Sequence, residues 1–366
     1  MSPAITQQDL ESHTRVNEAE DMMVTWTTLE NPPTKSAVKY GFDEKSLTLS
    51  SEAKSTKFRA FYIHRAVISG VGQSKRVWYQ CGSGNEWSNI ASFKTRSLDT
   101  NSIVRIVLYG DLGIINGQSI PRIINDVEND MYDVIHHVGD IAYDMDVNNG
   151  SYGQIFLEMM EDASKQVPYM VSSGNHEVGL NYLDYKNQYT MPGDNQNMWY
   201  RKLLNQKTGR NIHGLSLWVI IPCIARQQTK MTTRVGVPFV HWLGMEPLLK
   251  EYGVDLAIWA HEHIYERMWP VYNLKVYNGS YSAPYTNPGA PTHIVTGSAG
   301  CQERHDDFKQ VHPPYSAFRN ADYGYTRMTV ENTTHIHLQQ VSDDKEGQIV
   351  DDFWLIREKH GPYPNL

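Results

Sequence analysis

Over the first hundred residues, apolar and polar positions alternate in short runs: MMVTWTTL, AVKYGF, FYIHRAVISG, RVWYQCGS and ASFKT. Polar or glycine-containing turns separate them. A period of two marks half-buried strands, and short strands at this spacing predict a small all-β sandwich over residues 1–98. After the polar linker SLDTNS at 97–102 the pattern changes. IVRIVLYG, YDVIHHVG and PYMVSSG are short apolar runs that each end in glycine and a polar cluster, with the helix-like segments SIPRIINDVEN and SYGQIFLEMMEDASKQ between them. Alternation of strand and helix predicts a layered α/β domain over 99–366, its strands buried on both faces. The chain contains no internal repeat and no low-complexity tract.

Composition narrows the class. With 366 residues, 40% hydrophobic and 20% charged, the chain is long enough for two domains with a sizeable core. A formal charge of -8, pI near 6.0 and the lack of a basic block argue against nucleic acid as a partner. No apolar run reaches the roughly 18 residues of a membrane span. The opening MSPAITQQDLESH has neither a basic nor an apolar leader segment, so no secretory signal is expected. Yet Asn149, Asn278 and Asn332 each begin a glycosylation sequon, usable only in a secretory compartment. Cys81, Cys223 and Cys301 are too few for a disulfide framework. Composition alone leaves the compartment open.

The chemistry lies at the ends of the apolar runs. IVRIVLY leads into GDLG with Asp111, and YDVIHHV into GDIAY with Asp140 and Tyr143. PYMVSS leads into GNHE with Asn175, His176 and Glu177, and the later DLAIWA runs into HEH with His261 and His263. In open α/β sheets ligands bind where loops converge at the carboxyl ends of strands. Asp, Asn and His there offer the oxygen and imidazole donors that Fe, Zn or Mn prefer, and a preceding Gly lets the backbone turn close to an ion. Singly, each signal has a plainer reading: Gly-Asp is a turn, His-x-His a pair of solvated or core imidazoles, Tyr143 a packing residue. The ordered set of four, each after an apolar strand, is a metal site.

This set resembles the purple acid phosphatases among the calcineurin-like metallophosphoesterases, whose pattern runs GDxG, GDxxY, GNH(D/E), GHxP and GHxH. The tyrosine of GDIAY is the specific part, and flanks such as YGVDLAIWAHEHIYERMWPVYN and HIVTGSAG resemble the animal enzymes over residues 20–200 and 234–360. The resemblance implies a metallophosphoesterase β-sandwich flanked by helices, preceded by a fibronectin-III-like domain. It implies Fe(III) held by Asp111, Asp140, Tyr143 and His263, and a divalent Zn, Fe or Mn held by Asp140, Asn175 and His261. His176 would stand near the leaving-group oxygen of a phosphate monoester. Two such cations polarise phosphoryl oxygens and lower the pKa of a bound water. A secreted or lysosomal setting is implied too; the oligomeric state is left open.

One motif is missing. No GHxP occurs, and with it the divalent ion loses a ligand. The stretch between Tyr200 and Arg234 is dozens of residues short for the family, and it contains the foreign HGLSLWVIIPCIAR. Back-translated and read two bases on, this permits W-I-I-T-V-G-H-H-P-M-Y-C-S, the absent motif in full. QQTKMTT likewise permits an acidic stretch, and NQKTG permits P-E-N-G. Residues 201–233 are therefore expected to be an out-of-frame translation after a skipped exon, from a gene-structure error or an aberrant splice; the competing reading is a real lineage-specific loop. No other histidine replaces the ligand. His213 and His241 are at no strand end, and His136, His137 and His293 lie within apolar runs as core or supporting residues. The expected function is acid phosphatase activity, impaired in the chain as written. The alternatives are an inactive metal-binding protein that acts through its N-terminal sandwich, and a phosphodiesterase or nucleotidase relative.

Overall fold

The computed structural model describes residues 21–30, 32, 34–97, 99, 102–193, 196–198, 244–308 and 312–363, with 4–8 and 217–218 as strand backbone. The N-terminal part is a sandwich of β1 (Ala4–Gln8), β2 (Asp21–Thr28), β3 (Ser36–Gly41), β4 (Leu49–Glu52), β5 (Lys54–Phe58), β6 (Phe61–Ile68), β7 (Arg76–Ser83), β8 (Glu86–Trp87) and β9 (Ala91–Lys94). One sheet runs β1-β2-β6-β5 and the other β4-β3-β7-β8, with β9 on β7; all pairs are antiparallel. Alternation decides which side faces in. Met22, Val24 and Trp26 of β2 pack with Val77, Tyr79 and Cys81 of β7 in one buried cluster.

The rest of the chain places helices against two mixed sheets. β10 (Val104–Tyr109), β11 (Val134–Val138) and β12 (Tyr169–Ser172) are parallel neighbours. Parallel pairing needs a crossover, supplied by α1 (Ile120–Glu128) and then by α2 (Val147–Met159) and α3 (Glu161–Ser164). α1 turns Ile120, Ile123 and Val127 to the core, while Pro121 opens its first turn, where its missing N–H is harmless. α4 (Gly179–Gln188) follows β12.

The second sheet contains β13 (Leu217–Trp218), which pairs in parallel with Leu256 and Ala257 of a strand that follows α5 (Glu246–Glu251). That strand is β14 (Leu256–Trp259), and after it come β15 (Tyr265–Met268), the hairpin β16 (Val271–Tyr272) and β17 (Lys275–Val276), β18 (Thr292–Thr296) and β19 (Ser316–Asn320). The sheet order is β13-β14-β18-β15-β19. The chain ends in β20 (Gly324–Val330), β21 (His335–Ser342) and β22 (Gln348–Ile356), which extend the first sheet antiparallel to β10. Ile106, Leu108 and Ile135 of the first sheet share one buried cluster with Leu256, Ile258 and Ile294 of the second. The architecture is the expected α/β sandwich behind an all-β domain. Apart from the backbone of β13, residues 201–233 lie outside the described residues, and the out-of-frame reading of them with it.

Candidate metal centre

Strand geometry brings the motifs together. β10, β11 and β12 lie side by side and point the same way, so the loops after Tyr109, Val138 and Ser172 emerge at one edge. β14 delivers the fourth loop from the other sheet. The two sheets are stitched at this edge by Gly110 N–H donating to the Thr296 carbonyl at 2.8 Å, and within the first sheet Asp111 N–H donates to the Gly139 carbonyl at 3.2 Å. Asp111, Asp140, Tyr143 and His261 all hold positive φ (57°, 51°, 54° and 78°), a region costly for side chains bearing Cβ. Positive φ also occurs in turns elsewhere in the chain, so it supports the site only together with the contacts among these side chains.

Contacts among them are close. The Tyr143 hydroxyl donates to Asp111 Oδ1 at 3.3 Å and lies 3.0 Å from His263 Nε2, which is 3.6 Å from the same Asp111 oxygen. His263 Nδ1 pairs with the Arg304 carbonyl at 2.8 Å, which leaves Nε2 facing the carboxylate. The His261 amide donates to Asp111 Oδ2 at 2.8 Å, and its ring Nδ1 is 3.7 Å from Asp140 Oδ2. The His176 amide donates to Asp140 Oδ1 at 2.8 Å. Asn175 sits between His176 and Gly174, and Gly174 approaches so closely that a Cβ on it would lie 2.2 Å from Asp140 Oδ1.

Electrostatics call for a cation. Burial, then the charge of Asp140, pushes Asp111 well above the usual carboxylate range. Burial works to raise Asp140 too, but the facing His261 and the His176 amide hold it below that range. His261 is raised in turn by Asp140. Burial, then Asp111 and Asp140, raises Tyr143. Among the described residues no lysine or arginine pairs with either carboxylate; only His261 and His263 come within ion-pair distance. Two carboxylates, a phenol and two imidazoles turned on one another without a fixed counter-charge fit a metal pair of the Fe, Zn or Mn kind.

Support comes from residues the sequence did not single out for a role. Glu177 is buried and clamps two loops, accepting from the amides of Asp140 (2.9 Å), Ile141 (2.8 Å) and Gly174 (2.6 Å). Burial and the charge of Asp140 raise it to about 8, against the pull of those three amides. His176 Nδ1 pairs with Asp144 Oδ1 at 3.0 Å, and its Nε2 is 3.7 Å from Glu303 Oε1. His137 of β11 and His293 of β18 are fully buried, and His136 is buried in β11, as their apolar context implied; His213 and His241 lie outside the described residues.

Comparison with known proteins agrees. The description "Purple acid Phosphatase, N-terminal domain" matches residues 11–95, "Calcineurin-like phosphoesterase" residues 104–265, and "Iron/zinc purple acid phosphatase-like protein C" residues 290–352. Human "Acid phosphatase type 7" is 37% identical over 394 aligned positions, covering 93% of this chain and 89% of the relative. The chain belongs to the purple acid phosphatases. The mouse "Acid phosphatase type 7" is 38% identical over 92% of this chain and 88% of its own. An Arabidopsis thaliana relative named "Probable inactive purple acid phosphatase 1" is 25% identical over 93% of this chain and 68% of its own. Among solved structures, a purple acid phosphatase from yellow lupin seeds superimposes with TM-score 0.76 at 19% identity, covering 98% of this chain and 74% of that one. The chain is thus a phosphoesterase whose named relatives are acid phosphatases, and family membership implies a dinuclear metal centre. No helix among the described residues is long and apolar enough to cross a membrane. The 394-position alignment exceeds the 366 residues of the chain, so the human relative carries a stretch that this chain lacks.

Proposed function

We propose that this purple acid phosphatase hydrolyses phosphate monoesters, with Asp111, Asp140, Tyr143 and His263 around a ferric ion and Asp140, Asn175 and His261 around a divalent Zn, Fe or Mn. The convergence of Asp111, Tyr143 and His263 within 3.0 to 3.6 Å, beside a second buried carboxylate, carries this reading. A metal pair held by these residues would supply Lewis-acid polarisation of the phosphoryl oxygens and activation of a water. The chain does the positioning. Glu177 fixes the Asp140 and Gly174 loops against each other, and Asp144 orients His176 so that Nε2 can pass a proton to the departing alkoxide. A secretory or lysosomal setting is supported by the sequons, of which Asn149 and Asn278 are exposed.

The missing GHxP histidine favours impairment of the divalent half in the chain as written. It also favours a second reading, a metal-binding protein without activity. Hydrolysis of a generic aryl phosphate at acid pH by the iron- and zinc-loaded chain separates the two. Turnover together with a visible tyrosinate-to-iron band that disappears in Tyr143→Phe supports the first. Iron uptake without turnover supports the second, and tight uptake of two metal equivalents overturns the impairment.

A further inference from the structure

Cys301 has no part in the scheme above, yet its backbone is shaped to aim it at the centre. It follows β18 through Gly297-Ser298-Ala299-Gly300 and holds φ +57°, a strained value for cysteine. Its amide donates to the Leu112 carbonyl at 3.1 Å, and its own carbonyl accepts from Asn116 Nδ2 at 3.1 Å, so the loop after Asp111 fixes the turn from both sides. Gly300 must be glycine for this approach, since a Cβ there would lie 2.0 Å from the Leu112 carbonyl oxygen. The buried, free thiol lies against the His263 ring, 3.1 Å from Nδ1 and 3.2 Å from Nε2, the nitrogen that also faces Tyr143. Glu303 N–H donates to Sγ at 3.3 Å, and donor atoms of His263, Cys301 and Glu303 all lie within 4.8 Å of one another.

We propose that Cys301, His263 and Glu303 form a thiol-containing metal site on the flank of the Tyr143 half-site, suited to a thiophilic divalent ion such as Zn²⁺. This rests on the reading of His263 as a metal ligand. Sulfur, imidazole and carboxylate together are a zinc donor set, whereas phenolate and carboxylates favour ferric iron. Coordination replaces the S–H bond by an S–metal bond, and the proton leaves to solvent. Because His263 has one free nitrogen, zinc held by Cys301 and iron held by Tyr143 exclude each other at that residue. The half-site therefore selects between two metals according to their supply.

Cadmium, a spectroscopically visible stand-in for zinc, tests this on the metal-free full chain. Titration should raise an ultraviolet thiolate-to-cadmium band that saturates at one equivalent. The band should vanish in Cys301→Ser, persist in Cys81→Ser and Cys223→Ser, and fall as ferric iron is added and the tyrosinate band grows. A serine at a strained turn can unfold the loop, so the unaltered chain supplies a second readout. Cadmium at ten times its dissociation constant should slow alkylation of Cys301 roughly tenfold. Cadmium bound with no thiolate band, or a band that survives Cys301→Ser, overturns the cysteine site and leaves the metal centre standing. Failure to bind cadmium or iron at all overturns both.

Discussion

His176 stands between Asp144 on Nδ1 and Glu303 beyond Nε2, with its ring against Tyr143 at a centroid distance of 4.4 Å. A carboxylate on one nitrogen fixes which other nitrogen meets the substrate, the arrangement a proton donor needs. In an active form, His176→Ala should lower kcat by roughly 10²-fold or more while metal content stays constant; loss of metal alongside activity would make it a ligand. His64, in β6, makes a different demand. Its ring nitrogens meet Thr28 Oγ1 at 2.9 Å and Ser55 Oγ at 2.7 Å, and burial, with Arg65 next to it, lowers its pKa to about 4. The unfolded chain protonates this residue near 6.5. Between pH 6.5 and 4 the unfolded state thus binds the extra proton, and stability falls as pH falls through that window. Thermal unfolding should show a steeper acid-side loss for the native chain than for His64→Gln; equal slopes would mean His64 titrates normally. At this scale the sequence was legible where chemistry follows a strand: Asp111, Asp140, Tyr143, His176, His261 and His263, which the structure brings together, were picked out by their motifs, while the ligand role of Asn175 rests on its motif alone. Glu177, Asp144, Cys301 and Glu303 were not assigned, because what each touches depends on a loop from elsewhere in the chain.

The strands and loops that carry these residues depend on close backbone approach. A methyl on Gly174 would lie 2.2 Å from Asp140 Oδ1 and 2.5 Å from its backbone nitrogen, with no flexible neighbour to yield. Gly174→Ala should therefore displace the Asp140 carboxylate, proposed above to serve both metals, and cost roughly 1–3 kcal/mol from overpacking. Metal analysis after dialysis should show loss of the tightly held iron. Gly289→Ala, whose Cβ would meet Tyr277 Cβ at 3.3 Å far from the centre, should keep it. Unchanged metal content in Gly174→Ala would refute the close-approach argument. Elements announced by strong local patterns were legible: β2, β3, β6, β7 and β9 by alternation, β10 to β12 by apolar runs, α1 by its spacing. β5 escaped because KSTKF is exposed at all but its last residue, leaving no apolar face to read. The addition of β20 to β22 antiparallel to a parallel trio is set by tertiary pairing, which local periodicity does not encode.

Across the whole molecule, the N-terminal sandwich braces the catalytic domain through a buried ion pair. Arg59 donates to Asp184 of α4 from Nε at 2.8 Å and from its terminal nitrogen at 2.6 Å, and Arg59 also reaches Asn149 Oδ1 at 2.9 Å. Their side chains are only 13% and 4% exposed. Arg59→Ala strands Asp184 without its partner and should destabilise by about 3 kcal/mol; the double variant with Asp184→Ala should recover part of that in denaturant unfolding. The other long-range dependency is on residues 201–233. β14, the wholly buried strand that delivers His261 and His263, is paired on one side along its length by β18 but on the other only by the two residues of β13 among those described. A skipped exon and a shifted frame would remove the neighbouring strands together with the GHxP turn. The apolar surface so exposed costs about 25 cal/mol per Å². A domain with about 5–15 kcal/mol of net stability has little margin for that loss. An edge left open by that loss would also invite association with other chains. The chain as written should express poorly, aggregate and show little phosphatase activity. A version with the frame shifted, the missing exon returned and GHHPMYCS reinstated should be soluble and active at acid pH. Its second metal should bind as tightly as its first. Side-by-side purification, metal analysis and aryl phosphate turnover of the two versions decide it, and equal stability and activity would mean that residues 201–233 are a genuine loop of this enzyme.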